Sequence, residues 1–250
     1  MIIKKIIIKI LTFFRKTIEF FKVYTKPILM RRFSYYTVKK AYDYFAEEEI
    51  KSSYDHFKKY FYNAVFLDYR PLQEHALRKS LESHEKDFFY LEFGVHKGWS
   101  INFLSKILKK NNINIYGFDS FEGLKEDWFG NLNAAKGILD LGGKIPKLNS
   151  NCIPIKGWVQ DTVPKFIKEH QNLQINFIHI DLDTYQSTKD VLTLLKPFLH
   201  KNAVILFDEL YNFSGWKVGE YKALTEVFED KEYKFISFGL YSKQSAIQLI

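Results

Sequence analysis

The 250-residue chain predicts a doubly wound α/β fold: a mostly parallel, seven-stranded sheet with an antiparallel C-terminal hairpin, preceded by N-terminal helices. Three observations predict it. Short apolar and aromatic runs alternate with helical stretches between residues 88 and 229, which is the spacing of βαβ units. The last two runs stand too close together for a helical crossover, so they pair as a hairpin. Acidic residues and glycines fall where the runs end, at the edge where such sheets bind ligands.

Taken in order, Lys5, Lys9, Thr12, Lys16, Glu19 and Lys22 recur at spacings of three and four, the polar stripe of a helix over 1–26. Its remaining face, from Ile6 and Ile7 through Phe13, Phe14 and Phe21, is apolar, and Pro27 ends it. Residues 27–86 read as a helical, aromatic-rich extension, with Pro71 opening a helix that closes near Glu85. The main domain spans 87–250. Its strands are expected at 88–95, 113–120, 152–159, 175–183, 203–210, 233–241 and 246–250, with helices at 99–110, 163–170, 188–199 and 220–229. A long loop occupies 121–150, and Asp127, Trp128 and Phe129 within it are placed to form a lid. There is no internal repeat and no low-complexity linker.

At 46% hydrophobic and 18% aromatic, the chain excludes a disordered polymer. The formal charge of +8 is unevenly spread. Residues 1–40 carry eleven cations and one anion, a balance of +10, whereas the other 210 residues carry 26 cations against 28 anions, or −2. A uniformly basic nucleic-acid binder is not what this distribution describes. The basic helix suits either an anionic membrane surface, at its inner face, or the apolar surface of a partner subunit or of the main domain. Homo-oligomerisation belongs to the second of these readings. Cys152 is the single cysteine, so neither a disulfide nor a cysteine zinc site is available, and a reducing, cytoplasmic setting is expected. Lys9 interrupts the N-terminal apolar run and no small-residue cleavage site follows, so neither secretion nor membrane spanning is expected.

The first strand ends in Glu92-Phe93-Gly94-Val95-His96-Lys97-Gly98-Trp99-Ser100. Glycines at positions i and i+4 permit a tight turn and close backbone approach to a ligand. The dinucleotide pattern G-x-G-x-x-G is absent, since His96 stands at its second glycine, and this disfavours a nicotinamide oxidoreductase. A shorter turn with an acidic residue two positions earlier better suits a cationic, phosphate-free cofactor. Asp119 ends the second strand, where a carboxylate either accepts from a ribose diol or caps the loop. Asp181, Asp183, Asp208 and Glu209 end the fourth and fifth strands. Four carboxylates at one edge repel one another unless a cation or bound hydroxyls relieve them, and hard oxygen donors point to Mg²⁺, Mn²⁺ or Ca²⁺.

Together LEFGVHKGWS, YGFDSFEGLKEDW, KGWVQDTVPKF, FIHIDLDTYQSTKDVL, AVILFDEL and GWKVGEYKA resemble the macrocin O-methyltransferase family, over roughly residues 70–250. The resemblance implies a class I, Rossmann-like methyltransferase that uses S-adenosylmethionine, and Mg²⁺ in its metal-dependent members. It implies that Glu92, Gly94, Val95, Gly98 and Ser100 surround the methionine part of the cofactor. Asp119 would take the ribose, Ser120 and Phe121 the adenosine, and Gly157, Trp158 and Asp161 the adenine. Asp181 would serve cofactor and metal, with Asp208 and Glu209 completing the metal set, and Asp181 and Asp208 acting in catalysis. Glu209 departs from the Asp or Asn often found at that position.

The expected reaction is methylation of a hydroxyl on a sugar, glycosylated metabolite or glycan. Such a hydroxyl is a poor nucleophile at neutral pH, which gives a metal a role. His96, His179 and Glu209 are positioned as candidate bases, although His179 lies within a strand and reads as core. Gly215 and Trp216 either shape the acceptor pocket or fill the core. Two other readings remain: a nucleic-acid methyltransferase, opposed by the −2 balance, and a membrane-associated module that keeps the fold without activity.

Overall fold

The computed structural model describes residues 40–130 and 135–250. The helix expected over 1–26 and the first part of the 27–86 extension lie outside the described residues. The chain divides into two compact units, Met1–Phe45 and Ala46–Ile250. In chain order the elements are α1 (Ala41–Phe57), a 3₁₀ turn (Lys58–Asn63), β1 (Val65–Leu67), α2 (Tyr69–Leu81), β2 (Phe89–Phe93), α3 (Trp99–Leu108) and β3 (Ile115–Asp119). They continue with β4 (Cys152–Lys156), α4 (Val159–Glu169), β5 (Ile175–Ile180), α5 (Tyr185–Leu195), β6 (Leu199–Phe207), α6 (Glu220–Val227), β7 (Tyr233–Gly239) and β8 (Ser245–Leu249).

The strands form one sheet in the order β1-β7-β8-β6-β5-β2-β3-β4. Only β8 runs against its neighbours, pairing antiparallel with both β6 and β7. The expected hairpin is therefore present. However, it does not form the sheet edge, because β1 adds an eighth strand parallel to β7. Phe66 of this strand stacks on Phe238.

Strand alternation sorts the core onto the two faces. Leu91, Phe93, Ile178, Ile180, Ile205 and Phe207 face α4, α5 and α6. Tyr90, Phe177, Val204 and Leu206 face α2 and α3, meeting Leu72, Leu77, Ile101 and Leu104. The fully buried Phe57 packs its ring against Tyr211, Trp216, Tyr221, Phe235 and Phe238. Trp216, considered above for an acceptor pocket, is thus a core residue. Its indole donates to the carbonyl of Glu49 at 3.1 Å.

Several boundaries moved. α4 begins at Val159, four residues earlier than expected, and accommodates Pro164 inside the helix. The loop after β3 contains an antiparallel bridge between Glu122 and Asp140. Among the described residues no helix is long and apolar enough to cross a membrane.

The chain leaves β2 toward β3 and β4, then returns to place β5 on the other side of β2. This reversal opens a crevice at the carboxyl ends of β2 and β5, the general ligand position of open α/β sheets.

Candidate active site

Gly94 follows β2 at φ = 90°, and its N–H donates to the Phe118 carbonyl at 2.9 Å. A Cβ here would fall on the carbonyl oxygen of Asp181. The turn thus needs glycine twice over, for its conformation and for its contact with the end of β5. Asp181 completes the seam, its N–H donating to the Phe93 carbonyl at 2.8 Å.

Asp119 caps the loop, the second of its two sequence readings. One carboxylate oxygen accepts the N–H of His96 at 2.7 Å, and the other accepts that of Phe121 at 2.6 Å. It ties the turn after β2 to the loop after β3, and each oxygen keeps a further lone pair for a ligand.

These residues border a cleft of about 290 Å³. Of the sequence-predicted residues, Gly94, Asp119, Ser120, Gly157, Trp158 and Asp181 line it directly. Val95 and Phe121 are buried in the core, and Gly98 opens α3 at φ = 77°. Ser100 donates to Glu92 at 2.9 Å beneath the turn. Asp161 sits exposed on the first turn of α4 and does not line the cleft; Val159 does. Trp128 also lines it, as does Lys125, whose ammonium stands 5.4 Å from the Trp158 ring. A second hollow adjoins it, bordered by Glu126, Asp127, Trp128, Phe129, Asp183, Tyr185 and Lys222. Trp128, Asp183 and Thr184 are common to both.

Beside the cleft lies the carboxylate cluster. Glu92 and His179 are neighbours in the β2–β5 register and both fully buried, with Nδ1 of His179 3.0 Å from Glu92. Nε2 of His179 has no hydrogen-bond partner and stands 3.9 Å from Asp208 Oδ1. Burial favours a neutral imidazole, but Asp208 and Glu92 together outweigh it and raise His179 to about 9. Asp208 is correspondingly lowered: burial would raise it, but His179, Gln244 and Tyr69 prevail. Asp181 is pushed well up by burial and by the charges of Asp208 and Asp183. Burial also raises Asp183, with Glu209 and Asp208 adding to the effect.

Glu209 departs from its expected role. Its Oε1 pairs with Lys243 at 2.9 Å, its Oε2 is buried without a partner, and burial raises it to about 7 against the pull of Lys243. Among the described residues, the group whose donor atoms all lie within 4.8 Å of one another is His179, Asp181 and Asp208. Of the residues expected to hold a metal, Asp181 and Asp208 belong to this group, His179 stands with them, and Glu209 is paired with Lys243 on the β7–β8 turn. The buried, partnerless Nε2 beside two carboxylates is the observation that makes these residues fit a divalent cation.

Sequence reasoning also missed Tyr69. This residue, the first of α2, donates from its hydroxyl to Asp208 Oδ1 at 3.1 Å. Nothing in its local sequence marks it, since its role depends on α2 beginning beside the end of β6.

Residues 91–210 match the family model of a methyltransferase domain. The match runs from within β2 to just past β6, and so takes in the turn, the cleft and most of the carboxylates. The sequence matches none of the curated proteins. Among solved structures, the calicheamicin methyltransferase CalS11 superposes with a TM-score of 0.60 at 21% identity, covering 72% of this chain and 77% of that one. Its apo form, described as a TDP-rhamnose 3′-O-methyltransferase, gives 0.54 with the same identity and coverage. The O-methyltransferase NovP gives 0.51 at 17% identity, covering 71% of this chain and 78% of that one. At these identities the likeness is one of fold. The domain match and the shared fold support S-adenosylmethionine-dependent methyl transfer.

Proposed function

We propose that the chain is an S-adenosylmethionine-dependent methyltransferase that transfers a methyl group to a hydroxyl oxygen of a sugar or glycosylated metabolite, assisted by a divalent cation. The observation that carries the reading is the junction of two hollows at Trp128 and Asp183, one bordered by the Gly94 turn and Asp119, the other by aromatic and acidic side chains. S-adenosylmethionine supplies an electrophilic methyl group when bound. The first hollow would hold it: the Gly94 turn admits close approach, Asp119 accepts from the ribose, and Ser120, Gly157 and Trp158 border the adenosine.

The second hollow supports a sugar. Trp128, Phe129 and Tyr185 offer flat faces for the C–H side of a ring, and Glu126, Asp127 and Asp183 offer acceptors for its hydroxyls. Alignment of the acceptor behind the methyl group is the main task, because in-line displacement depends on geometry more than on acid–base power. A cation on His179, Asp181 and Asp208 would lower the hydroxyl's pKa. The resemblance to the macrocin family and the fold shared with a rhamnose methyltransferase favour the same acceptor class.

Calorimetry with S-adenosylmethionine, on wild type and on Asp181→Ala, tests the reading. Wild type is expected to bind at one site and the variant at least about tenfold more weakly, the loss of roughly one charge-assisted hydrogen bond. Absence of binding by wild type would sink the enzymatic reading. Unchanged turnover in a chelator would remove the cation and leave methyl transfer standing.

A further inference from the structure

A buried imidazole nitrogen with no partner needs an explanation, and His179 Nε2 is such an atom. Its ring cannot swing away to find water. Nδ1 is held by Glu92 at 3.0 Å, Glu92 is held by Ser100 at 2.9 Å, and both members of the pair are fully buried. With Nδ1–H directed at a carboxylate, an ion that displaces the Nε2 proton meets a lone pair facing Asp181 and Asp208. This carboxylate–histidine arrangement is the one that orients metal-binding imidazoles and increases their basicity.

The spacing agrees. Two donors, each about 2.1 Å from one ion, stand at most about 4.2 Å apart. The separation between Nε2 and Asp208 Oδ1 is 3.9 Å. Asp208 is itself steadied by Tyr69 and Gln244, so the donor is placed before any ion arrives. Glu209, the oxygen ligand that the sequence offered, is engaged by Lys243.

We propose that His179 Nε2 is a direct ligand in a mixed nitrogen–oxygen site with Asp181 and Asp208, and that this site selects a first-row transition-metal dication over Mg²⁺ or Ca²⁺. An all-carboxylate set favours hard alkaline-earth ions, whereas imidazole shifts preference toward Co²⁺ and Zn²⁺. The inference deepens the cation-assisted reading above, but its test needs no acceptor and no turnover.

The full chain, stripped of metal, is titrated with Co²⁺ and separately with Mg²⁺ by calorimetry, and its Mn²⁺ complex is examined by pulsed electron paramagnetic resonance. One Co²⁺ per chain should bind at least about tenfold more tightly than Mg²⁺, and the Mn²⁺ complex should show ¹⁴N coupling from a coordinated imidazole. His179→Gln should lose the coupling and weaken Co²⁺ by about tenfold or more, while Mg²⁺ affinity changes little. Should that variant misfold, the wild-type ¹⁴N signal alone decides. Absence of ¹⁴N coupling in wild type, or Mg²⁺ binding as tightly as Co²⁺, would overturn the proposal. S-adenosylmethionine titrated into the same sample separates the two readings, since its binding without Co²⁺ binding removes the cation site alone. Co²⁺ binding without it removes methyl transfer alone.

Discussion

The two halves of the crevice are built on opposite principles. On the side of β2, β3 and β4, polar groups are already satisfied by the backbone. Both oxygens of Asp119 accept N–H groups, and Gly94 and Gly157 donate to the Phe118 and Asp119 carbonyls. On the side of β5 and β6, by contrast, buried polar atoms outnumber their partners. His179 Nε2, Glu209 Oε2 and Glu220 Oε1 have none, and Asp181, Asp183, Glu209 and Glu220 are all pushed up by burial. A satisfied half is preorganised and binds by shape. An unsatisfied half stores electrostatic demand that an incoming charge relieves. The difference teaches which half needs a ligand to be complete.

Substitutions on each side sharpen this contrast. The largest effect is expected where the two sides meet, at the contact of Glu92 on β2 with His179 on β5. Glu92→Gln removes the charge facing His179, and breaking a buried pair costs on the order of 3–5 kcal/mol, to be read as a lowered denaturation midpoint. An unchanged midpoint would mean that the Glu92–His179 contact is not an ion pair. Next, Gly94→Ala forces both strain at positive φ and a clash with the Asp181 carbonyl, together about 3 kcal/mol. Expressed on cofactor affinity, that is a loss of roughly a hundredfold by calorimetry. Retained affinity would show that the turn yields easily and that the satisfied half is not rigid. The smallest effect belongs to Asp161→Ala, a change on an exposed helical turn away from the cleft. Stability should move by less than about 0.5 kcal/mol, with cofactor affinity unchanged. A marked loss of affinity would restore the adenine role that the sequence assigned to this residue.

The sequence disclosed the fold well because β2, β5 and β6 are dense apolar runs whose polar residues fall at their ends. It disclosed the satisfied half for the same reason: Gly94, Asp119 and Trp158 lie at or just past strand ends. His179 read as core because a strand buried on both faces has no polar side for an alternation pattern to reveal. β1 escaped notice because it has three residues and follows a helical, aromatic stretch. The ion pair of Glu209 was not legible because its partner, Lys243, lies 34 residues further along and reaches it only through the β7–β8 turn. Local pattern records what a segment is, whereas these contacts depend on where distant segments return.

The hydroxyl of Tyr69 on Asp208 has a consequence for the unit of function. Tyr69 precedes the matched segment 91–210, while Gln244 and Lys243, which hold Asp208 and Glu209, follow it. The acidic half of the crevice is therefore closed by residues from both flanks of the shared domain. Lineages that keep the domain but exchange its flanks would alter the electrostatics of the site without changing any residue within those boundaries. The matched segment holds the Gly94 turn and Asp119, while the side chains that tune its acidic half are attached at its two ends.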